Sequence, residues 1–191
     1  SRSSNSSQCI KMRLLPSETL LFVIDVQEKL FSTMFEQKET KEKICNIIDG
    51  ATTLGVPIIY TEQYPAGLGA TIKDVNIRMK REQRFEKTTF SCLGDNKIIL
   101  ELKRQKRQQI LVCGIETHVC IYQTVQDIMS ENYQAHVITD AVVSRHKKDH
   151  DLGLAKMNNL GAELTSLETA LFELVADSQN CHFKAISQII K

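Results

Sequence analysis

Residues 20–26 read LLFVIDV: six apolar side chains and one acid in a row. A half-exposed strand would alternate apolar and polar residues, and seven residues are too few for a helical stripe. A continuous apolar run of this length is a strand buried on both faces, as in a parallel sheet covered by helices on either side. Asp25 stands out against that background. A carboxylate ending a wholly apolar strand must cap the segment that follows or find a cation, because burying it alone is costly.

Outward from this strand the pattern repeats. QILVCG at 109–114 and AHVITDAV at 135–142 are buried runs of the same kind, and VPIIYT at 56–61 is a shorter one closed by the loop EQYPAGLG. Residues 84–89 and 162–166 (AELTS) read as more polar or shorter strands. Between them lie helices. Ile44, Ile47, Ile48 and Ala51 share one stripe that stops near Gly55. GDNKIILELKRQ at 94–105 opens with Asp95 as its cap. Residues 119–129, 149–159, a segment from Leu167, and HFKAISQII at 182–190 complete the set. Strands alternating with helices at this spacing predict an α/β fold: a three-layer α/β/α sandwich of Rossmann type with a mostly parallel central sheet.

The 191 residues suit a single domain, expected over 18–191, after a flexible, Ser-rich tail over 1–17 that begins SRSSNSSQ. A formal net charge of +1 gives no electrostatic reason to expect nucleic acid or an anionic membrane as partner. The basic cluster at 103–107 sits at a helix end, where cations suit the dipole. Six cysteines without a CxxC predict reduced thiols and a cytoplasmic or organellar interior. No apolar run reaches membrane-spanning length.

Chemistry in such sheets collects beyond the carboxyl ends of the strands. Asp25, Lys87 and Cys120 all fall there. Cys120 lies in VCGIETHVCI at 112–121, where a strand gives way to a helix. In a first helical turn the free N–H groups and the dipole favour a thiolate; a small buried helix residue fits the position equally well. Asp25 is a base for such a thiol, and Lys87 a cation for the carboxylate. His118 is set aside, because positions i and i+2 of one helix diverge. His146 and His150 are four apart but lack a third ligand segment. Cys92 and Cys113 read as core thiols. Gln27, Phe31, Gln63 and Tyr64 follow strand ends and are candidate pocket residues.

Together FVIDVQ, FEKTTFSC and CGIETHVCI resemble the isochorismatase-like cysteine hydrolase superfamily, over residues 20–175. TEQYPAGLG and CGIE resemble its isochorismatase domain-containing branch in particular. The resemblance implies an Asp25–Lys87–Cys120 triad, with Cys120 as nucleophile, Asp25 as base and Lys87 stabilising the thiolate and orienting the carboxylate. It implies a cis peptide at Ile115–Glu116 and an oxyanion hole from the amides of Glu116 and Cys120. The implied activity is cofactor-free hydrolysis of a small amide-, imide- or imidate-like metabolite through a thioester, by a homo-oligomer, dimeric or higher. Nicotinamidases of the superfamily carry an Asp-x-His metal motif where this chain has TEQYPAG, so no metal is expected. True isochorismatases lack the cysteine. The competing reading is an oligomeric binding or interaction module that retains the triad with little or no activity.

Overall fold

Six parallel strands form one sheet in the order β3-β2-β1-β4-β5-β6: β1 Thr19–Ile24, β2 Ile58–Gln63, β3 Arg84–Lys87, β4 Gln109–Ile115, β5 Gln134–Val143 and β6 Glu163–Thr165. The computed structural model describes residues 13–79 and 84–191, so most of the expected tail, with Cys9, lies outside the described residues. Strands β1, β2 and β4 are buried at every position, as their unbroken apolar runs require.

Successive residues of β1 feed two separate cores. Leu21 and Val23 pack under α2 (Gln37–Thr53), α8 (Leu167–Val175) and α9 (Phe183–Ile190). Leu20, Phe22 and Ile24 pack under α5 (Asn96–Gln105), α6 (Tyr122–Ser130) and α7 (Lys147–Asn159). Two cores divided by one strand make the three layers. The α2 stripe is as the periodicity predicts, with Ile44, Ile47, Ile48 and Ala51 all 0% exposed. Asp95 caps α5, accepting from the Lys97 N–H at 2.8 Å.

The structure departs from the sequence reading in three places. The helix expected from residue 119 begins instead as a π-helical turn, Thr117–Ile121, and α6 starts at Tyr122. The four-residue helices α1 (Glu28–Phe31), α3 (Pro65–Leu68) and α4 (Lys73–Asn76) occupy segments too short to show a period. The packed domain also begins before residue 18. Leu14 is 0% exposed, its N–H donates to Glu173 Oε1 at 3.2 Å, and the Arg13 carbonyl accepts from Gln109 Nε2 at 2.9 Å.

The apolar stripe of α9 covers its own chain. Ile186 is fully buried, Phe183, Ile189 and Ile190 rest on the first core, and Asn46 of α2 donates to the Ile189 carbonyl at 3.1 Å. Among the described residues no helix is long and apolar enough to cross a membrane.

Candidate active site

The strand order reverses between β1 and β4, the kind of switch point beyond whose carboxyl ends open α/β sheets place their sites. These two strands approach closely there because Gly114, opposite Ile24, has no side chain: a Cβ at Gly114 would stand 2.1 Å from the Ile24 carbonyl oxygen. Directly after β1, Asp25 adopts a left-handed conformation (φ 54°), which aspartate tolerates better than most residues. That turn takes its carboxylate out of the strand's alternation, and its own N–H donates to the Thr61 carbonyl at 3.1 Å.

Three groups converge on this carboxylate. Thr61 Oγ1 donates to Oδ1 at 2.8 Å and Lys87 Nζ donates to Oδ2 at 2.7 Å, and Cys120, on the π-helical turn, lies near enough for the carboxylate's charge to act on its thiol. The Asp25 and Lys87 side chains are both 0% exposed. Lys87 comes from the edge strand β3 and reaches across the end of β2. Its Nζ also donates to Gln63 Oε1 at 2.7 Å and to the Thr89 and Phe90 carbonyls at 3.0 Å each. Burial alone would depress this ammonium; Cys92, Asp25 and Cys120 reverse that and hold its pKa above the ordinary lysine value.

Cys120 is 5% exposed. Burial, reinforced by the Asp25 carboxylate, pushes its thiol well above the ordinary range, and Lys87 only partly opposes this. Burial and the neighbouring carboxylate thus both favour the neutral thiol over the thiolate. This differs from the thiolate that a helix N-terminus favours, because the π turn seats the sulfur in the apolar core beneath α6. Cys113 is a buried core thiol. Cys92 is fully buried too and pushed up to about 12 by burial, yet it borders the ion pair, its Sγ lying 3.8 Å from Thr61 Oγ1.

The Ile115–Glu116 peptide is cis. The Glu116 carbonyl accepts from the N–H groups of Val119 (3.1 Å) and Ile121 (3.2 Å), which shapes the π turn. Its side chain is buried and paired: Arg145 Nε donates to Oε1 at 2.7 Å, while Oε2 lacks a hydrogen-bond partner and faces His118 Nδ1 at 3.5 Å. Sequence reasoning named Glu116 for its amide and missed its buried carboxylate. The signal was available, an acid directly after an apolar strand, as at Asp25. His118 itself is bound to Ser144 Oγ at 2.8 Å. His150 Nδ1 lies 2.8 Å from Thr117 Oγ1, and burial lowers its pKa. Among the described residues no group of three or more His, Cys, Asp or Glu is placed to hold a metal ion.

The four candidate pocket residues are not brought to one cavity. Gln27 is 0% exposed, its Nε2 donating to the Gln63 carbonyl at 2.9 Å and the Gly69 carbonyl at 2.8 Å. Gln63 is likewise buried, and donates from Nε2 to the Thr88 carbonyl at 2.7 Å. Phe31 lines a cavity of about 430 Å³ with Glu28, Lys41, Ile72 and Asp74. Tyr64, 58% exposed, borders another of about 350 Å³ with Glu86, Thr88 and Asp95.

A family model described as the isochorismatase domain matches residues 19–169. The chain is 35% identical over 179 residues to human isochorismatase domain-containing protein 2, an alignment covering 94% of this chain and 86% of that one. Among solved structures it is similar to one described as the MAR1 ribonuclease of Caenorhabditis elegans, at 36% identity and a TM-score of 0.89, over 94% and 92% of the two chains. The YcaC gene product of Escherichia coli, described as an octameric hydrolase of unknown specificity, shares the fold with a TM-score of 0.90 at 18% identity, over 94% and 90% of the two chains.

Proposed function

The chain belongs to the isochorismatase family of hydrolases, and from that premise we propose that it is a cysteine amidohydrolase acting on a small amide-, imide- or imidate-like metabolite without a cofactor. One observation carries the reading: the Asp25 carboxylate and the Lys87 ammonium form a fully buried ion pair, 2.7 Å apart, whose charges act on the buried Cys120 thiol.

In this reaction the Cys120 sulfur attacks the carbonyl carbon while its proton passes to Asp25, so that a neutral thiol becomes a nucleophile only as the bond forms. The carbonyl oxygen takes up the displaced electron pair, and the backbone N–H groups of Glu116 and Cys120 receive it. Collapse of the tetrahedral adduct breaks the C–N bond. The leaving nitrogen takes the proton from Asp25, leaving a thioester on Cys120. Water then attacks the thioester with Asp25 as base, the C–S bond breaks as the carboxylic acid departs, and Asp25 returns the proton to the Cys120 sulfur. Lys87 holds Asp25 in place and keeps a positive charge beside the sulfur throughout.

The test is a panel of small amides, imides and ureides offered to wild type and Cys120→Ala, with intact mass measured during turnover. Hydrolysis confined to wild type, with an acyl adduct mapped to Cys120, supports the reading. Equal turnover by Cys120→Ala refutes it, and no turnover together with a binding partner recovered intact favours the interaction module. The ribonuclease named for the nematode neighbour gives a second reading. The net charge of +1 supplies little attraction for a polyanion; cleavage of single-stranded RNA by wild type and not by Cys120→Ala would establish it. We also propose a homo-oligomer, in keeping with the octamer described for the bacterial neighbour. Light scattering after size exclusion decides this, a mass near the 21.7 kDa of one chain refuting it.

A further inference from the structure

The Lys87 ammonium carries three hydrogens and lies within hydrogen-bond distance of four oxygens: Asp25 Oδ2, Gln63 Oε1 and the carbonyls of Thr89 and Phe90. It has no proton left over for a substrate. Only one of those oxygens belongs to a side chain outside the triad. Gln63 is also held at every other polar point. Its Nε2 donates to the Thr88 carbonyl at 2.7 Å, which fixes Oε1 as the atom facing the lysine. Its backbone N–H donates to Gln27 Oε1 at 2.7 Å, and its carbonyl accepts from Gln27 Nε2 at 2.9 Å. Gln27 is in turn fastened to the Gly69 carbonyl at 2.8 Å. Both polar atoms of the Gln63 amide are thus tied to the framework, Oε1 to Lys87 and Nε2 to Thr88, which fixes the side chain's orientation.

We infer that Gln63 is a positioning residue, which pins the Lys87 ammonium against Asp25 and so keeps a positive charge beside the Cys120 sulfur, with Gln27 locking Gln63 in turn. This rests on the triad reading proposed above. Without Oε1 the ammonium is drawn toward the Thr89 and Phe90 carbonyls and away from the carboxylate. The ionisable groups around the sulfur are Asp25, Lys87 and Cys92. Of these only Lys87 favours the thiolate, so a displaced Lys87 makes the sulfur harder to ionise.

The experiment compares wild type, Gln63→Leu, Gln63→Glu and Lys87→Met as full-length chains. Two probes are used: p-nitrophenyl acetate for acylation of Cys120, and iodoacetamide with peptide mapping for the pH dependence of its alkylation. In Gln63→Leu acylation falls by about ten- to a hundredfold, as for other groups that orient a reacting residue. Its Cys120 alkylation midpoint rises by about one pH unit. Gln63→Glu, which keeps an oxygen on the ammonium, recovers acylation to within about tenfold of wild type. A merely structural Gln63 would lower the melting temperature and leave the alkylation midpoint of the folded protein where it was.

A folded Gln63→Leu with wild-type acylation and midpoint overturns the inference. If Gln63→Leu does not fold, Gln27→Met replaces it, with the same direction of change expected and a wild-type midpoint counting against. If Lys87→Met itself acylates like wild type, the triad reading falls and the inference with it; if Lys87→Met is slow and Gln63→Leu is not, only the inference falls. Should the ester not acylate the wild type, the alkylation midpoints decide alone.

Discussion

At the amino end of the sheet Thr19 and Gln109 are as deeply buried as Asp25 and Lys87 are at the carboxyl end, and there side-chain amide, hydroxyl and backbone groups bond to one another. Gln109 Oε1 accepts from the Leu15 N–H at 2.9 Å and lies 3.1 Å from Thr19 Oγ1, while Nε2 donates to the Arg13 carbonyl. The two ends face the same requirement, to satisfy polar groups between close-packed strands. The amino end meets it with amides and hydroxyls. The carboxyl end uses a buried ion pair, whose desolvation costs several kcal/mol per ion. A buried charge pair set beside a thiol is the arrangement that the proposed reaction uses.

The sharpest test of that contrast is Cys120→Ala. Substrate hydrolysis should fall by at least about a thousandfold, as when a nucleophile is removed from any concerted set. Stability, measured by urea unfolding, should change by no more than about 1–2 kcal/mol. Retained turnover would leave the two ends chemically equivalent.

Next in size is the cost of breaking each network. Lys87→Met strands a buried carboxylate and should destabilise by about 3–5 kcal/mol. Gln109→Leu leaves the Leu15 N–H, the Thr19 hydroxyl and the Arg13 carbonyl without this partner and should cost roughly 1–3 kcal/mol. Adding Asp25→Leu to Lys87→Met should return much of the loss, because the uncompensated charge is gone. Equal costs at both ends, with no recovery in the double variant, would break the comparison.

A pH experiment sharpens it further. Burial holds Cys92 at about 12 against an ordinary thiol value of 9.0. A thiol raised in the folded state contributes stability that is complete below the unfolded value. That stability is lost between roughly pH 9 and 12, as the unfolded chain gives up a proton the folded one keeps. The slope is about 1.4 kcal/mol per pH unit for one thiol. Cys92→Ala should flatten the alkaline stability curve by that amount in that window, whereas Gln109→Leu should leave the slope unchanged. The smallest effect is in labelling. At neutral pH iodoacetamide should modify the exposed Cys181 first, with Cys120 following as the pH rises and Cys113 protected while the chain is folded.

The fold was legible because the strands that fix it are buried on both faces, and an uninterrupted apolar run is hard to mistake. Asp25 was legible as an acid at the end of such a run, where the apolar background makes it conspicuous, whereas Lys87, at the end of the polar strand RFEK, and Cys120, five residues past β4, were singled out by the family resemblance. What could not be read was the framework beneath them. Gln27 and Gln63 are 36 residues apart, and no local pattern announces that one amide will clasp the other's backbone. The sequence left the surroundings of Cys120 open for a related reason. Its neighbourhood depends on a π turn and on a carboxylate 95 positions earlier in the chain, neither of which a helix-start signal encodes. The buried Leu14 escaped notice because a Ser-rich stretch nearby drew the whole segment into the tail.

The oxygen cage around Lys87 has a stereochemical corollary. An sp³ ammonium on a single stem points three equivalent hydrogens away from its Cε bond and can rotate among acceptors spread in three dimensions. A guanidinium has the same charge but holds its five N–H bonds in one plane. Asp25, Gln63 and two successive backbone carbonyls close on one point from different directions, and a flat group cannot face them all. Lys87→Arg, a swap that preserves charge, should therefore behave as a loss of the residue: at this position shape, not sign, selects lysine.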